Sequence, residues 1–200
     1  MNKMLFATLS LSPLLATAAT PSFDCTKAHS TAEQLVCQDA GLAALDNELA
    51  TLYPKALANF NDEQKKTEKA IQRGWIKGRN ECWKESDARQ CVEKSYQMRI
   101  TELQIKGGQL MVPSPVDYQC GNKVTLSTYF YNEAKLPAAV INLSEGNDQQ
   151  QVLTYETPSA SGARYEGQNL TLWTKGDDAT LERYGQPALT CQPLGKGGNE

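Results

Sequence analysis

The hydrophobic pattern of this 200-residue chain changes its period half-way along, which limits the possible folds more than any other feature. In the first half, leucines recur at spacings of three and four, the repeat of one helix face: Leu42, Leu45, Leu49 and Leu52. In the second half, apolar and polar residues alternate, as in KVTLSTYFY at 123–131, which is the two-residue period of a strand. The sequence therefore predicts an α+β protein of two domains, with the helical domain first.

Capping residues mark three helix starts in the first half. Ser30 and Glu33 have the spacing of a capping box, in which each side chain bonds the other residue's backbone amide. Asn61 offers a second cap, and Asp87 a third, for a helix that the pair Gly107-Gly108 ends. We expect three helices in a small bundle with a thin core. Within the bundle we expect four residues to pack and to form a structural ion-pair set, without a further function: Trp75, Arg79, Tyr96 and Arg99.

Short strands are predicted in the second half, separated by Gly, Asn and Asp. Besides 123–131, the candidates are AAVINL, QQVLTYE, NLTLWTK, ATLERY and ALTC. Such spacing favours an antiparallel sandwich or barrel. The segment GGQLMVPSPVD contains two prolines and two glycines and predicts the linker. The predicted organisation is a helical domain at 21–107, a linker at 108–116 and a barrel domain at 117–193.

Residues 1–18 have the order of a secretory signal peptide: Lys3, the apolar run Met4–Leu15, and small residues ending at Ala18, after which we expect cleavage. The apolar run is shorter than the roughly 20 residues that span a bilayer. No lipobox precedes Cys25. We therefore expect a secreted protein without a membrane anchor.

The six cysteines predict three disulfides, because an even count behind a signal peptide is typical of an oxidising compartment. Their spacing alone leaves the pairing open. Three pairs would suit the predicted elements by closing an early loop, pinning the turn between the second and third helices, and tying the first strand to the last: Cys25–Cys37, Cys82–Cys91 and Cys120–Cys191. No Cys-x-x-Cys occurs and His29 is the single histidine, so we expect neither a metal nor a cofactor.

Charge is unevenly distributed. Residues 21–108 carry thirteen acidic and thirteen basic side chains, whereas residues 109–200 carry ten acidic and six basic ones. No basic patch is present, so nucleic acid is not an expected partner. The acidic second half favours a cationic partner.

Specific motifs stand in the second half. Tyr118 and Cys120 precede SASGARY at 159–165, LWTKGDDATL at 172–181 and a last cysteine, Cys191. With these motifs the stretch from 116 to 192 resembles the MliC/PliC family of periplasmic inhibitors of c-type lysozyme. The resemblance implies a small antiparallel β-barrel closed by a disulfide. It also implies a periplasmic location. The main departure from the family is the missing lipid anchor, which makes this chain more similar to the soluble periplasmic branch.

The same resemblance assigns roles to individual residues. It implies that a loop inserts into the lysozyme cleft, where Ser161 and Lys175 meet the catalytic carboxylates. Gly162 would let the backbone approach closely. Arg164 and Tyr165 would add contacts at the rim, since both residue types are enriched in interface hot spots. Without the resemblance, Ser161 and Gly162 indicate an ordinary turn and Lys175 a solvated strand end. Alternation favours a core position for Trp173.

The first half is similar to the LprI-type, or DUF1311, domain. The resemblance lies in AEQLVCQDAGLAALDNELATLY, WIKGRNEC and CVEKSYQMRITEL, between Cys25 and Leu103. Two other functions compete with lysozyme inhibition. Ser161 and Lys175 could form a nucleophile–base pair, but no Ser-x-x-Lys and no histidine base supports it, so we expect no enzyme. The other is an envelope-stress or binding protein that acts through the helical domain.

Overall fold

The computed structural model describes residues 19–195 and shows helices followed by strands. The predicted signal peptide at 1–18 lies outside the described residues. The helices are α1 (Thr31–Gln38), α2 (Ala40–Ala58), α3 (Asp62–Asn80) and α4 (Ala88–Lys106), with short 3₁₀ turns at Cys25–Lys27 and Glu81–Lys84. The strands are β1 (Val116–Cys120), β2 (Val124–Tyr131), β3 (Ala138–Glu145), β4 (Asp148–Thr157), β5 (Ala163–Gly167), β6 (Leu170–Lys175), β7 (Asp178–Arg183) and β8 (Leu189–Pro193).

The described part of the chain contains four helices where the sequence predicted three. The caps at Ser30, Asn61 and Asp87 are confirmed, the first two as complete capping boxes. The additional break falls at Asp39, whose backbone is extended and whose carboxylate accepts a 2.9 Å hydrogen bond from the Leu42 amide. An Asp side chain that bonds the backbone in this way starts a new helix, so the single expected helix becomes α1 and α2.

The helical half, α1 to α4, packs around one apolar cluster. The buried members include Val36, Leu42, Leu49, Val92, Tyr96, Ile100 and Leu103. Two disulfides, Cys25–Cys37 and Cys82–Cys91, pin this region, as expected. They add constraints to a core that is thin for four helices.

Charged side chains inside the helical half are paired, as the sequence predicted. Arg79 donates to the Tyr96 hydroxyl (2.6 Å), which donates to Asp46 (2.9 Å). Arg99 is buried against Glu68. Because a buried charge without a partner is costly, these residues serve packing rather than an external ligand.

The second half is a closed antiparallel barrel in which each strand pairs with the next and β1 pairs with β8. The disulfide Cys120–Cys191 joins β1 to β8 at the closing pair, where the two Cα atoms lie 3.9 Å apart. The predicted alternation is confirmed: Val124, Leu126 and Thr128 point inward from β2. Strand β5 was not predicted, because its residues 163–165 were taken as part of an exposed loop.

Strand direction gathers three connections at one end of the barrel, which we call the loop end: residues 132–137, 158–162 and 176–177. The helical half packs on the barrel close to this end. Thr101 Oγ1 donates to the Leu136 carbonyl (3.2 Å) and accepts from the Leu136 amide (2.8 Å). Lys135 Nζ lies 2.7 Å from Glu48 Oε2. None of the helices within residues 19–195 has the length and apolar character needed to cross a membrane.

Candidate functional site

The structure brings Ser161 and Lys175 together at the loop end. Strands β5 and β6 pair in a register that sets Ala163 opposite Thr174, so the next pair outward is Gly162 with Lys175. Ser161 therefore lies beside the start of the β6–β7 turn. Both Ser161 and Lys175 are exposed. The two predicted residues, fourteen positions apart in the chain, share one surface.

Gly162 makes this close approach possible. Its φ of +70° lies in the left-handed region, which L-residues other than glycine rarely adopt. A Cβ at this position would lie 2.1 Å from the Thr174 carbonyl oxygen and 3.3 Å from Lys175 Cα. The loop at 158–162 is therefore pressed directly onto the β6 backbone that carries Lys175.

Two side chains hold the loop in this position. Ser159 Oγ donates to the Gly162 carbonyl (2.8 Å), and Trp173 Nε1 donates to the Ser161 carbonyl (2.8 Å). The sequence-based expectation that Trp173 belongs to the core was wrong, because its side chain is 38% exposed. Leu172 is fully buried on the same strand, so alternation directs Trp173 outward. This positioning role was missed, although the phase of β6 contained the signal for it.

A tight turn presents Lys175. Lys175 pairs with Asp178 across the β6–β7 hairpin, and Gly176 between them has a φ of +62°. A groove of about 280 Å³ lies beside the turn and is lined by Trp173, Lys175, Asp178, Ala179, Thr180 and Thr190. A two-residue hairpin turn is short, which keeps the Lys175 backbone well defined while its ammonium reaches solvent.

The two other predicted contact residues differ from each other. The Arg164 side chain is 41% exposed and lies 3.2 Å from Glu166 Oε1, so it can reach a partner at the rim. Tyr165 cannot reach a partner, so the prediction that it makes a rim contact was wrong. Tyr165 is 5% exposed and packs against Phe130, with ring centroids 5.2 Å apart. Neighbouring residues of a strand point to opposite faces, so Tyr165 belongs to the barrel core. Burial raises the pKa of its hydroxyl.

The arrangement offers a hydroxyl and an ammonium on an exposed edge. A lysine that serves as a catalytic base is usually desolvated, whereas Lys175 is open to water. Within residues 19–195, no group of three or more His, Cys, Asp or Glu side chains could hold a metal ion.

Comparison with known proteins relates both halves to characterised families. Residues 118–189 match the family model described as "Membrane-bound lysozyme-inhibitor of c-type lysozyme", or MliC. Two relatives carry the name membrane-bound lysozyme inhibitor of C-type lysozyme. The one from Cupriavidus necator is 44% identical over 83 residues, 38% of this chain and 63% of the relative. The one from Pseudomonas aeruginosa is 29% identical over 100 residues, 50% of this chain and 72% of the relative.

The closed barrel and this match define the class: a chain with an MliC-type barrel behind a disulfide-pinned helical half. A match over a longer part of the chain defines its family. Lipoprotein LprI of Mycobacterium tuberculosis is 33% identical over 165 residues, which cover 82% of this chain and 80% of the relative. The chain belongs to the LprI family.

Proposed function

We propose that this protein inhibits c-type lysozyme by placing the Ser161 loop and the Lys175 turn in the active-site cleft of the enzyme. One observation carries the proposal: the β5–β6 register sets the two residues side by side, both exposed, at one end of the barrel. The match of residues 118–189 to a family named for lysozyme inhibition supports the choice of partner.

The chemistry of the two side chains suits that cleft. Lysozyme hydrolyses glycans with a carboxylic acid and a carboxylate that flank the scissile bond. The Lys175 ammonium offers three hydrogen-bond donors and a positive charge, and the Ser161 hydroxyl both donates and accepts. A lysine that pairs with the carboxylates would occupy the position of the substrate without being cleaved. Arg164 would add a contact at the rim.

The proposal also includes the cellular setting. Removal of residues 1–18 as a signal peptide would deliver the protein to the periplasm. There the three disulfides can form. The Cys25–Cys37 disulfide engages the Cys25 thiol, which supports a protein without a lipid on this residue. We propose a protein without a membrane anchor and without enzymatic activity of its own.

Replacing Lys175 with alanine tests the site. We expect Lys175→Ala to weaken inhibition of a c-type lysozyme by about 100-fold, because the variant leaves carboxylates of the enzyme buried without their partner. Lys123→Ala is the matched control, since Lys123 is exposed in the β1–β2 turn at the opposite end of the barrel. The measurement is the inhibition constant in a cell-wall lysis assay, with thermal unfolding to verify the fold of each variant.

A Lys175→Ala protein that is folded and inhibits like the wild type would contradict the proposal. Inhibition would then have to come from another surface, with the helical half as the next candidate. Equal losses in Lys175→Ala and Lys123→Ala would indicate a general effect of charge rather than insertion at the loop end.

A further inference from the structure

A cleft of about 890 Å³ lies between the helical half and the barrel. One wall consists of the segment from Cys82 to Met98, which contains the second 3₁₀ turn and most of α4. The other wall consists of barrel residues Leu136, Glu156, Thr157 and Pro158. We call it the junction cleft. Its walls are held in place by the Thr101–Leu136 hydrogen bonds.

The junction cleft borders the candidate site directly. Pro158, the first residue of the loop that carries Ser161, lines the cleft. If a partner enzyme received this loop in its active site, the rim of that active site would therefore lie next to the junction cleft. The helical half forms the opposite wall of the cleft that Pro158 lines.

The size of the loop and turn also calls for additional contact area. A stable inhibitor interface buries about 800 Å² on each partner and involves roughly 20 to 30 residues a side. The loop at 158–162 and the turn together with its two flanking residues, Lys175–Asp178, comprise nine residues. Neighbouring surfaces must supply the remainder, and the junction cleft is continuous with the loop on its Pro158 side.

Charge indicates what the junction cleft accepts. Its lining includes four carboxylates and one ammonium: Glu85, Asp87, Glu93, Glu156 and Lys94. Asp87 caps α4 by accepting from the Gln90 amide, and Glu93 is paired with Arg89. Glu85 is an exposed residue of the lining that lies between α3 and α4 in the chain. An excess of negative charge in a concave surface favours a cationic segment of a partner.

Resting on the proposed function, we infer that the junction cleft is a second part of the lysozyme-docking surface. It receives a lysine- or arginine-bearing segment from the rim of the lysozyme cleft while the loop end occupies the catalytic centre. This assigns a role to the helical half: it enlarges the contact area and adds the carboxylates of Glu85, Asp87 and Glu93 to the Glu156 carboxylate of the barrel.

Charge-reversal variants of two exposed lining residues test the inference. Glu85→Lys should weaken the Kd for a c-type lysozyme by about fivefold, and Lys94→Glu should strengthen it by about threefold, as expected for partly exposed charge pairs. Glu182→Lys is the matched control, because it makes the same charge change on the exposed face of β7, outside the cleft lining. Its Kd should change by less than about twofold. The measurement is calorimetric binding at low and at moderate salt, beside Lys175→Ala.

The outcomes separate the two proposals. If Glu85→Lys and Lys94→Glu bind like the Glu182→Lys control while Lys175→Ala loses inhibition, the loop end docks alone and the inference is overturned. If Lys175→Ala inhibits normally and Glu85→Lys binds weakly, the loop-end site is wrong and the cleft carries the docking. Opposite shifts for Glu85→Lys and Lys94→Glu together with the Lys175→Ala loss support both.

Discussion

The candidate site depends on a glycine as much as on its two polar residues. Gly162 has a left-handed φ and lies so close to Thr174 that any side chain would overlap its carbonyl oxygen. The hydrogen bond from Trp173 to the Ser161 carbonyl adds a second restraint. The loop is therefore ordered before a partner arrives, and an ordered loop loses less conformational entropy on binding.

Alanine substitution at two glycines separates the backbone strain of a positive φ from the steric overlap of an added Cβ. Gly146 has a φ of +62° with nothing within 4 Å of an added Cβ, whereas Gly162 meets the Thr174 carbonyl oxygen at 2.1 Å. We expect Gly146→Ala to lower the free energy of unfolding by about 1 kcal/mol and to leave inhibition intact. Gly162→Ala should lower the free energy of unfolding by about 3 kcal/mol, because its Cβ also overlaps the Thr174 carbonyl oxygen. It should weaken inhibition more than about tenfold.

Denaturant unfolding and the lysozyme assay measure both effects. Equal losses of stability in the two variants would show that the loop relaxes away from β6. An unchanged inhibition constant for Gly162→Ala would show that the position of Ser161 does not matter.

The side-chain positions of four residues can be compared with their sequence-based predictions. Ser161 and Lys175 were found from a motif, and the structure sets them side by side. Tyr165 and Trp173 were both assigned to the wrong face. The direction of Tyr165 follows from the phase of β5, a strand that was not predicted. The direction of Trp173 follows from its alternation with Leu170 and Leu172, which the sequence already contained.

At the scale of elements, the helix starts are determined locally. Ser30 and Glu33 exchange hydrogen bonds across one turn of α1, with Ser30 N to Glu33 Oε2 at 3.0 Å and Glu33 N to Ser30 Oγ at 3.2 Å. Such bonds join residues only a few positions apart, so the sequence shows them directly. Asp39 also acts locally, but the leucine stripe that continues past it concealed the break between α1 and α2.

The capping box makes stability depend on pH. The backbone amide of Ser30, despite some opposing desolvation, holds the pKa of Glu33 below its ordinary value of 4.5. A carboxyl group whose pKa is lowered by folding stabilises the folded state above its unfolded pKa. That contribution is lost as the pH falls through the folded pKa. Ionised Glu33 therefore stabilises the folded state at neutral pH and no longer does so in acid.

We expect Glu33→Gln, which keeps an acceptor but removes the charge, to lower the free energy of unfolding by about 0.5 kcal/mol at pH 7. At pH 3 the variant and the wild type should be nearly equal. Glu63→Gln, in the first turn of α3 but outside its capping pair, is the control for the helix dipole. Urea unfolding between pH 3 and pH 7 measures this, and a constant difference across that range would contradict the assignment.

Strand β5 was not anticipated, because SASGARY and the residues after it contain few apolar side chains. The structure makes Ala163–Gly167 a strand by pairing it with β4 and β6 on its two sides. A short polar segment gains strand structure from the hydrogen bonds of its neighbours. Only the closure of the barrel reveals this.

At the scale of the whole molecule, the helical half and the barrel are joined by one buried hydroxyl and by polar contacts nearer the surface. Thr101 is fully buried and bonds both backbone groups of Leu136. Gln104 accepts from the Lys135 amide at 2.8 Å, and Lys135 reaches Glu48. These contacts set the helical half beside the loop end and so create the junction cleft.

Thr101→Val tests this junction. Valine has nearly the same shape, but it leaves the amide and the carbonyl of Leu136 without the hydroxyl, so we expect the free energy of unfolding to fall by about 2 kcal/mol. Thr125→Val, on the outward face of β2, should change it by less than about 0.5 kcal/mol. Denaturant unfolding followed by both tryptophan fluorescence and circular dichroism measures the loss. An unchanged stability for Thr101→Val would show that the halves do not rely on this contact.

The sequence by itself determined the change from helices to strands, the helix caps and the pair of motifs that carry Ser161 and Lys175. These features depend on residues close together in the chain, or on side-chain periods that one segment displays. Only the tertiary structure decided the face of Tyr165, the existence of β5 and the placement of the helical half at the loop end. Those depend on barrel register and on contacts such as Thr101–Leu136, across 35 residues of chain. No local pattern encodes them, because their free energy arises only when distant segments meet.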